Sequence, residues 1–271
     1  MVRLKEYGVS GHRNAGVRAE EVAMTIGGET AAKARQKPQL QRLRARPVPR
    51  TGLAWPTIEE AAPGWQRWAR ELLEYRHPIL LASVCALVAL FADYSCGTYV
   101  TATPGAKVPD LILDRLPSLD LSFLFIYGYI ALLVTMFCYP FLFRVRTLHV
   151  VIFQFSLLLT LRSLFMLFTH LETPAGSVPV HFPYGFSSLY FENDMFFSGH
   201  TAMPFLGFYL FRHNRLRYVF LVGALVMGAV VLAMHVHYSI DVLAAFFMTY
   251  SSYQMGNAIL RKFDPTYAGR D

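Results

Sequence analysis

Two short stretches of this 271-residue chain carry residue types that could do chemistry at the edge of apolar segments: Phe197-Ser198-Gly199-His200-Thr201 and His237-Tyr238-Ser239-Ile240-Asp241. An ionisable side chain in hydrocarbon costs ~2.5–3.5 kcal/mol on insertion scales, so a working role is the first hypothesis for such groups. His237 and Asp241 are four apart, a spacing that a helix stacks on one face. A carboxylate there holds the imidazole in one tautomer and stabilises its charged form, leaving the other ring nitrogen free to attack. Ser198 and Gly199 open a second helix, whose unpaired N–H groups and dipole favour an anion such as phosphate. Glycine lets that backbone approach closely. With His200 facing His237 across a phosphate, one histidine attacks phosphorus and the other protonates the departing oxygen.

Such a pair needs elements that bring the two stretches together, and composition says what kind. The chain is 54% hydrophobic and 16% charged, against about 25% charged in ordinary soluble domains. Its mean hydropathy is +0.35. The imbalance is local: residues 1–77 are polar and hold 14 of the 25 lysines and arginines, whereas 78–260 is almost continuously apolar. The expected fold is therefore an all-α polytopic membrane protein. Its six spans are expected at about 78–97, 121–143, 148–168, 196–212, 217–235 and 239–259, each near the ~20 residues that cross a hydrocarbon core. The fourth is short and contains Pro204, which predicts a kink or shelter by its neighbours.

The domain plan follows. Residues 1–60 form a disordered basic tail, and 61–77 an amphipathic interfacial helix with Trp65, Trp68, Leu72 and Tyr75 on one face. Residues 78–260 are the catalytic membrane domain, and 261–271 a short tail. No cleavable signal is expected, since the first 60 residues lack an apolar core. One set of linkers carries Arg144, Arg146, Arg212, Arg215, Arg217, Arg261 and Lys262. The other carries Asp93, Asp110, Asp114, Asp120, Glu172, Glu192 and Asp194 against Lys107 and Arg115. The positive-inside rule then puts both termini in the cytoplasm and both chemical stretches on the extracytoplasmic face. The formal charge of +7 is explained by topology and anionic lipid, so nucleic acid is not an expected partner.

Cys85, Cys96 and Cys138 have neither the count nor the spacing of a disulfide framework or a metal site. Neither a metal nor any other cofactor is expected. His149 and His213 read as structural or interfacial histidines. His235 stays open between a bystander and a metal partner of His237.

The two stretches, the second extended to Val242, resemble the signature motifs C-G-D-x-x-x-S-G-H-T and H-Y-[ST]-x-D-[VL] of the sphingomyelin synthase family. Val108-Pro109-Asp110 is similar to its L-P-D. Arg162 through Met166, Thr169, Leu171 and Pro174 resemble its R-x-x-x-M-x-x-T-x-L-P. The resemblance covers roughly 78–260. It implies a six-span lipid phosphotransferase that moves a phospho-headgroup from a glycerophospholipid to ceramide. Diacylglycerol is released.

Carried over residue by residue, His237 is the nucleophile, Asp241 its orienting partner and His200 the acid. Asp194, Ser198, Gly199, Tyr238, Arg162 and Asp110 are the substrate-binding candidates. For Arg162, pairing with an acidic neighbour and contact with the phosphate are both open. Glu192-Asn193 stands where the family has Cys-Gly, which leaves the headgroup undecided. A homo-oligomer is left open.

The alternative is the related type-2 phosphatidic acid phosphatase pattern, a lipid phosphate phosphatase or phospholipase C-like hydrolase. Its motifs are K-x6-R-P, P-S-G-H and S-R-x5-H-x3-D. Here Val230-Val231 stands in place of Ser-Arg and Phe197 in place of proline, and no Lys–Arg-Pro pair precedes His200. A phosphomonoester dianion needs cationic clamps, so a diester fits this chain better.

Overall fold

A computed structural model describes residues 64–103, 105–180, 191–264 and 267, all within one compact unit, 52–271. The tail 1–60 expected from sequence lies outside the described residues. The described part is helical: α1 (Trp65–Glu74), α2 (Arg76–Ala102), α3 (Tyr129–Phe143), α4 (Val145–Phe168), α5 (Gly199–Leu210), α6 (Leu216–Ala233) and α7 (Ser239–Phe263). A single-turn helix, Leu113–Arg115, lies between α2 and α3, and a π-helical turn, Leu124–Gly128, leads into α3.

Four segments are long and apolar enough to cross a membrane: Arg76–Ala102, Leu124–Phe143, Val145–Phe168 and Leu216–Ala233. The chain is read accordingly as an integral membrane protein. Its outward faces agree, since Leu81, Leu87 and Phe91 on α2 and Phe247 on α7 are exposed apolar residues. Exposed surface of that kind and size is stable against lipid rather than water. α7 has the length, with 25 residues, but buries Asp241, Thr249, Ser252 and Asn257, which dilute its apolar character.

The fourth expected span differs from expectation. It is helical over only 12 residues, Gly199–Leu210, about 18 Å at 1.5 Å per residue. The backbone before it breaks the helix, with Asn193 at φ 62° and Phe196 at φ 115°, outside the right-handed helical region. Pro204 is buried inside α5, so a span too short for a bilayer is enclosed by its neighbours. Gly207 is what lets α6 close in, because a Cβ there would overlap the Phe220 ring.

α4 and α5 form the centre. α4 buries thirteen residues from Val145 to Met166, and Leu158, Met203, Leu206, Phe211 and Phe220 meet in the main apolar cluster. At the arginine-bearing end, α1 docks through Trp68, whose Nε1–H donates to the Phe141 carbonyl at 2.7 Å. Glu71 there pairs with Arg146 at 2.6 Å. At that end too, His149 contacts Asp264 at 3.0 Å and stacks on Tyr75, and Gln154 donates to Asn257 at 2.9 Å. The chemical residues gather at the opposite end, where α2, α4 and α6 finish and α5 and α7 begin.

Candidate active site

A cavity of about 270 Å³ opens at that end, lined by His200, His237, Arg162, Asp194, Asp93 and Gly199 among others. Each arrives by a different local device. Gly199 and His200 are the first residues of α5, and Ser198 is its N-cap. The strained turn before them is over-determined: Asn193 exchanges hydrogen bonds with Thr173, its Oδ1 accepting from Thr173 N at 2.8 Å and its N–H donating to Thr173 Oγ1 at 3.1 Å. Phe196 stacks on Phe165 at 4.6 Å. Asparagine tolerates the left-handed backbone better than most residues. That is the physical sense of Asn193 standing where the resembled motif has glycine.

The π turn presents Phe125, whose ring stacks on His200 at 3.9 Å, while Tyr129 lies at 4.2 Å on the same imidazole. The histidine plane is thereby held between α3 and α5. π turns often mark such functional places.

His237 is buried and precedes α7 rather than belonging to it. The helical stacking expected for His237 and Asp241 is therefore replaced by a turn. His235 takes a left-handed φ of 54°, Tyr238 is the N-cap, and the Asp241 carboxylate reaches back to accept the Tyr238 N–H at 3.0 Å. Its other oxygen accepts from Phe196 N at 3.3 Å, and the Asp241 carbonyl accepts from Ser198 N at 3.2 Å. Asp241 thus joins the two chemical stretches directly. His237 Nδ1 lies 3.4 Å from Asp241 Oδ2 but without hydrogen-bond geometry. The carboxylate is thus placed to attract that ring nitrogen whenever the imidazole carries a proton there.

Of the two readings left open for Arg162, the structure shows the pairing, and with two acidic neighbours rather than one. Nη1 donates to Asp93 Oδ1 at 2.9 Å and Nη2 donates to Asp194 Oδ2. Its Nε is buried with no hydrogen-bond partner among the described residues. The guanidinium lies on the start of α5: a Cβ added at Gly199 would sit 3.1 Å from Arg162 Nε. Two carboxylates fix the plane of the group, and its unpartnered Nε lies against the start of α5, which offers its own free N–H groups. Chemically, such an arrangement suits an anion, with backbone and side-chain donors side by side.

Asp93 is absent from the sequence-derived site, where it was counted among outer-linker acids. It lies inside α2, 69 residues from its partner in the chain. Its signal was there to read: a lone carboxylate in one apolar span and a lone guanidinium in another are each costly unless they meet. Phe125 and Tyr129 carried no such signal.

Four sequence candidates stand away from the cavity lining: Asp241, behind His237, and three others. Ser198 is fully buried, with its Oγ unpartnered among the described residues. Tyr238 and Asp110 are buried in the loops outside, bonded to protein groups. His235 Nδ1–H donates to the Ala175 carbonyl at 3.1 Å, and no cluster of metal-ligating residues occurs among the described residues.

Comparison with known proteins adds one finding. No curated protein and no solved structure matches the chain. Residues 193–258 match the family described as PAP2 superfamily C-terminal. That segment contains Asp194, Ser198, Gly199, His200, His237 and Asp241, and the match supports a place among the type-2 phosphatidic acid phosphatase superfamily of lipid phosphoesterase-type enzymes.

Proposed function

We propose that this protein is a six-span lipid phosphotransferase. It moves a phospho-headgroup from a glycerophospholipid to ceramide and releases diacylglycerol. α5 and α7 complete the bundle begun by the four apolar spans, both termini are cytoplasmic, and the cavity faces outward at the end away from Arg144, Arg146, Arg212 and Arg215.

The observation that carries the reading is the double pairing of Arg162. Asp93 and Asp194 occupy both terminal nitrogens, so the cavity holds more carboxylate than guanidinium. A monoester dianion would meet net repulsion there. A diester carries one negative charge, which the α5 N–H groups and Arg162 Nε–H can hold. A cationic headgroup such as choline or ethanolamine is favoured by the same carboxylates.

In the first step His237 Nε2 attacks phosphorus, a P–N bond forms, and the bond to the diacylglycerol oxygen breaks as His200 gives that oxygen its proton. Asp241 stabilises the developing charge through Nδ1. In the second step His200 takes the proton from the acceptor hydroxyl, the new P–O bond forms, and His237 leaves. Both steps use protein groups alone, so activity is expected to survive a chelator.

The test is incubation of the purified protein with ceramide and mixed phospholipids, with products identified by mass spectrometry. A phosphosphingolipid and diacylglycerol in equal amounts are expected. Free phosphate from phosphatidic acid, with no phosphosphingolipid, would instead establish the hydrolase alternative. Transbilayer movement of a non-hydrolysable donor without products would mean a transporter on this fold.

A further inference from the structure

Immediately after His237, the chain is clasped from outside by groups that do not line the cavity. Tyr238 is buried, and its hydroxyl bridges two loops distant in sequence. It donates to the Glu172 carbonyl at 2.9 Å and accepts from Val108 N at 3.3 Å. Those loops also bond each other: Ala106 and Leu171 form an isolated parallel bridge, Glu172 N donates to the Ala106 carbonyl at 3.3 Å, and Lys107 pairs with Glu172 at 3.1 Å. Asp110, also buried, fixes the next residue. One carboxylate oxygen accepts from Ser239 N at 2.7 Å, and the Ser239 hydroxyl donates to the same carboxylate at 2.8 Å. The other oxygen accepts from Ile112 N at 2.9 Å and Leu113 N at 3.1 Å.

We propose that Tyr238 and Asp110 are positioning residues that lock the outer loops 105–116 and 170–178 onto the segment carrying His237, and that neither touches the lipid. The proposal rests, for its kinetic arm, on the phosphotransferase reading. The physical argument is one of capacity. The Asp110 carboxylate already accepts from three backbone N–H groups and one hydroxyl, which fills about its four lone-pair sites. The Tyr238 hydroxyl gives its one proton and accepts one bond. Neither group has a free donor for a phosphate, and a donor is what a phosphate needs.

The position explains why such groups sit there. His237 lies outside α7, so no helix holds its backbone, and the left-handed turn at His235 has to be maintained from both sides. Asp241 holds the inner side through Phe196 and Ser198. Tyr238 and Asp110 hold the outer side. A nucleophile displaced by about 1 Å loses on the order of a hundredfold in rate.

The test compares the full-length protein with Tyr238→Phe, Asp110→Asn and Ser239→Ala in detergent. Amide hydrogen exchange should speed up roughly two- to tenfold at Val108 in Tyr238→Phe, the effect of losing one hydrogen bond. In Asp110→Asn the same should occur at Ser239. Turnover per active site, counted from the burst of diacylglycerol, should fall about tenfold with donor KM within twofold, as expected for a lost alignment rather than a lost ligand.

A raised KM at unchanged kcat in Tyr238→Phe would show that the hydroxyl contacts lipid and would sink the proposal. Unchanged exchange at Val108 would do the same. Should the wild type turn over no phosphodiester lipid, the functional reading falls, while the exchange experiment still decides whether these residues hold the loops.

Discussion

Gly199→Ala isolates the proposed anion cradle from the stability of the fold. Gly199 is the first residue of α5, with no left-handed backbone to protect. On helix propensity alone, alanine inside a helix gains about 0.5–1 kcal/mol over glycine. The added Cβ, however, would lie 3.1 Å from Arg162 Nε, 3.6 Å from Cδ and 3.7 Å from Cζ, where ordinary contact begins near 3.4 Å. Something must give by a few tenths of an ångström. Arg162 cannot yield freely, because Asp93 and Asp194 hold its two terminal nitrogens. The methyl also crowds Nε, the guanidinium nitrogen that has no hydrogen-bond partner among the described residues. We expect kcat/KM for a short-chain fluorescent phosphatidylcholine and ceramide to fall about tenfold or more, corresponding to about 1.4 kcal/mol of transition-state stabilisation. The thermal midpoint in detergent should stay level or rise. Full activity in Gly199→Ala, or equal loss of activity and midpoint, would refute the argument that Arg162 and the α5 N-terminus form one site.

Further expectations follow from the same contacts. Replacing His237 by alanine should abolish both ceramide-dependent transfer and slow acceptor-free hydrolysis; survival of either would remove His237 as nucleophile. Asp241→Asn should lower kcat by on the order of 10⁴, as for an aspartate that sets a catalytic histidine's tautomer, with the loss read at saturating donor. Asp93→Asn should free Arg162 Nη1 from a charge and raise turnover of phosphatidic acid relative to diester lipids; an unchanged ratio would dismiss the charge-balance argument.

Asp110 gives a pH prediction. Burial opposes its ionisation, but the hydrogen bonds from Ser239 and from the Leu113 and Ile112 N–H groups outweigh it and hold the carboxyl below its ordinary value. A depressed carboxyl adds stability that is present above its unfolded value of about 3.9 and is lost as pH falls through the folded value. The thermal midpoint of Asp110→Asn should therefore fall less steeply than wild type below about pH 4.

Where the sequence was informative, the reason was local. An ionisable residue in an apolar run is conspicuous by its own cost, so His200, His237, Asp241 and Arg162 could be singled out without knowing their neighbours. The amphipathic pattern before the first span is equally local, and a helix, α1, occupies Trp65–Glu74 there. Boundaries failed where the backbone obeys distant partners. The fourth span begins at Gly199 rather than 196 because Thr173 and Asp241 hold Asn193 and Phe196 in left-handed turns.

By itself, then, the sequence determined a helical membrane protein with two motifs suited to phosphoryl chemistry, since hydropathy and the cost of a charge in lipid are properties of a residue and its immediate neighbours. Only the tertiary structure decided that Arg162 is balanced by Asp93 and Asp194, that Phe125 grips His200, and that Asp110 clasps Ser239 from 129 residues away. Those are pairings across helices and loops, and no periodicity within one segment encodes which partner completes a buried charge.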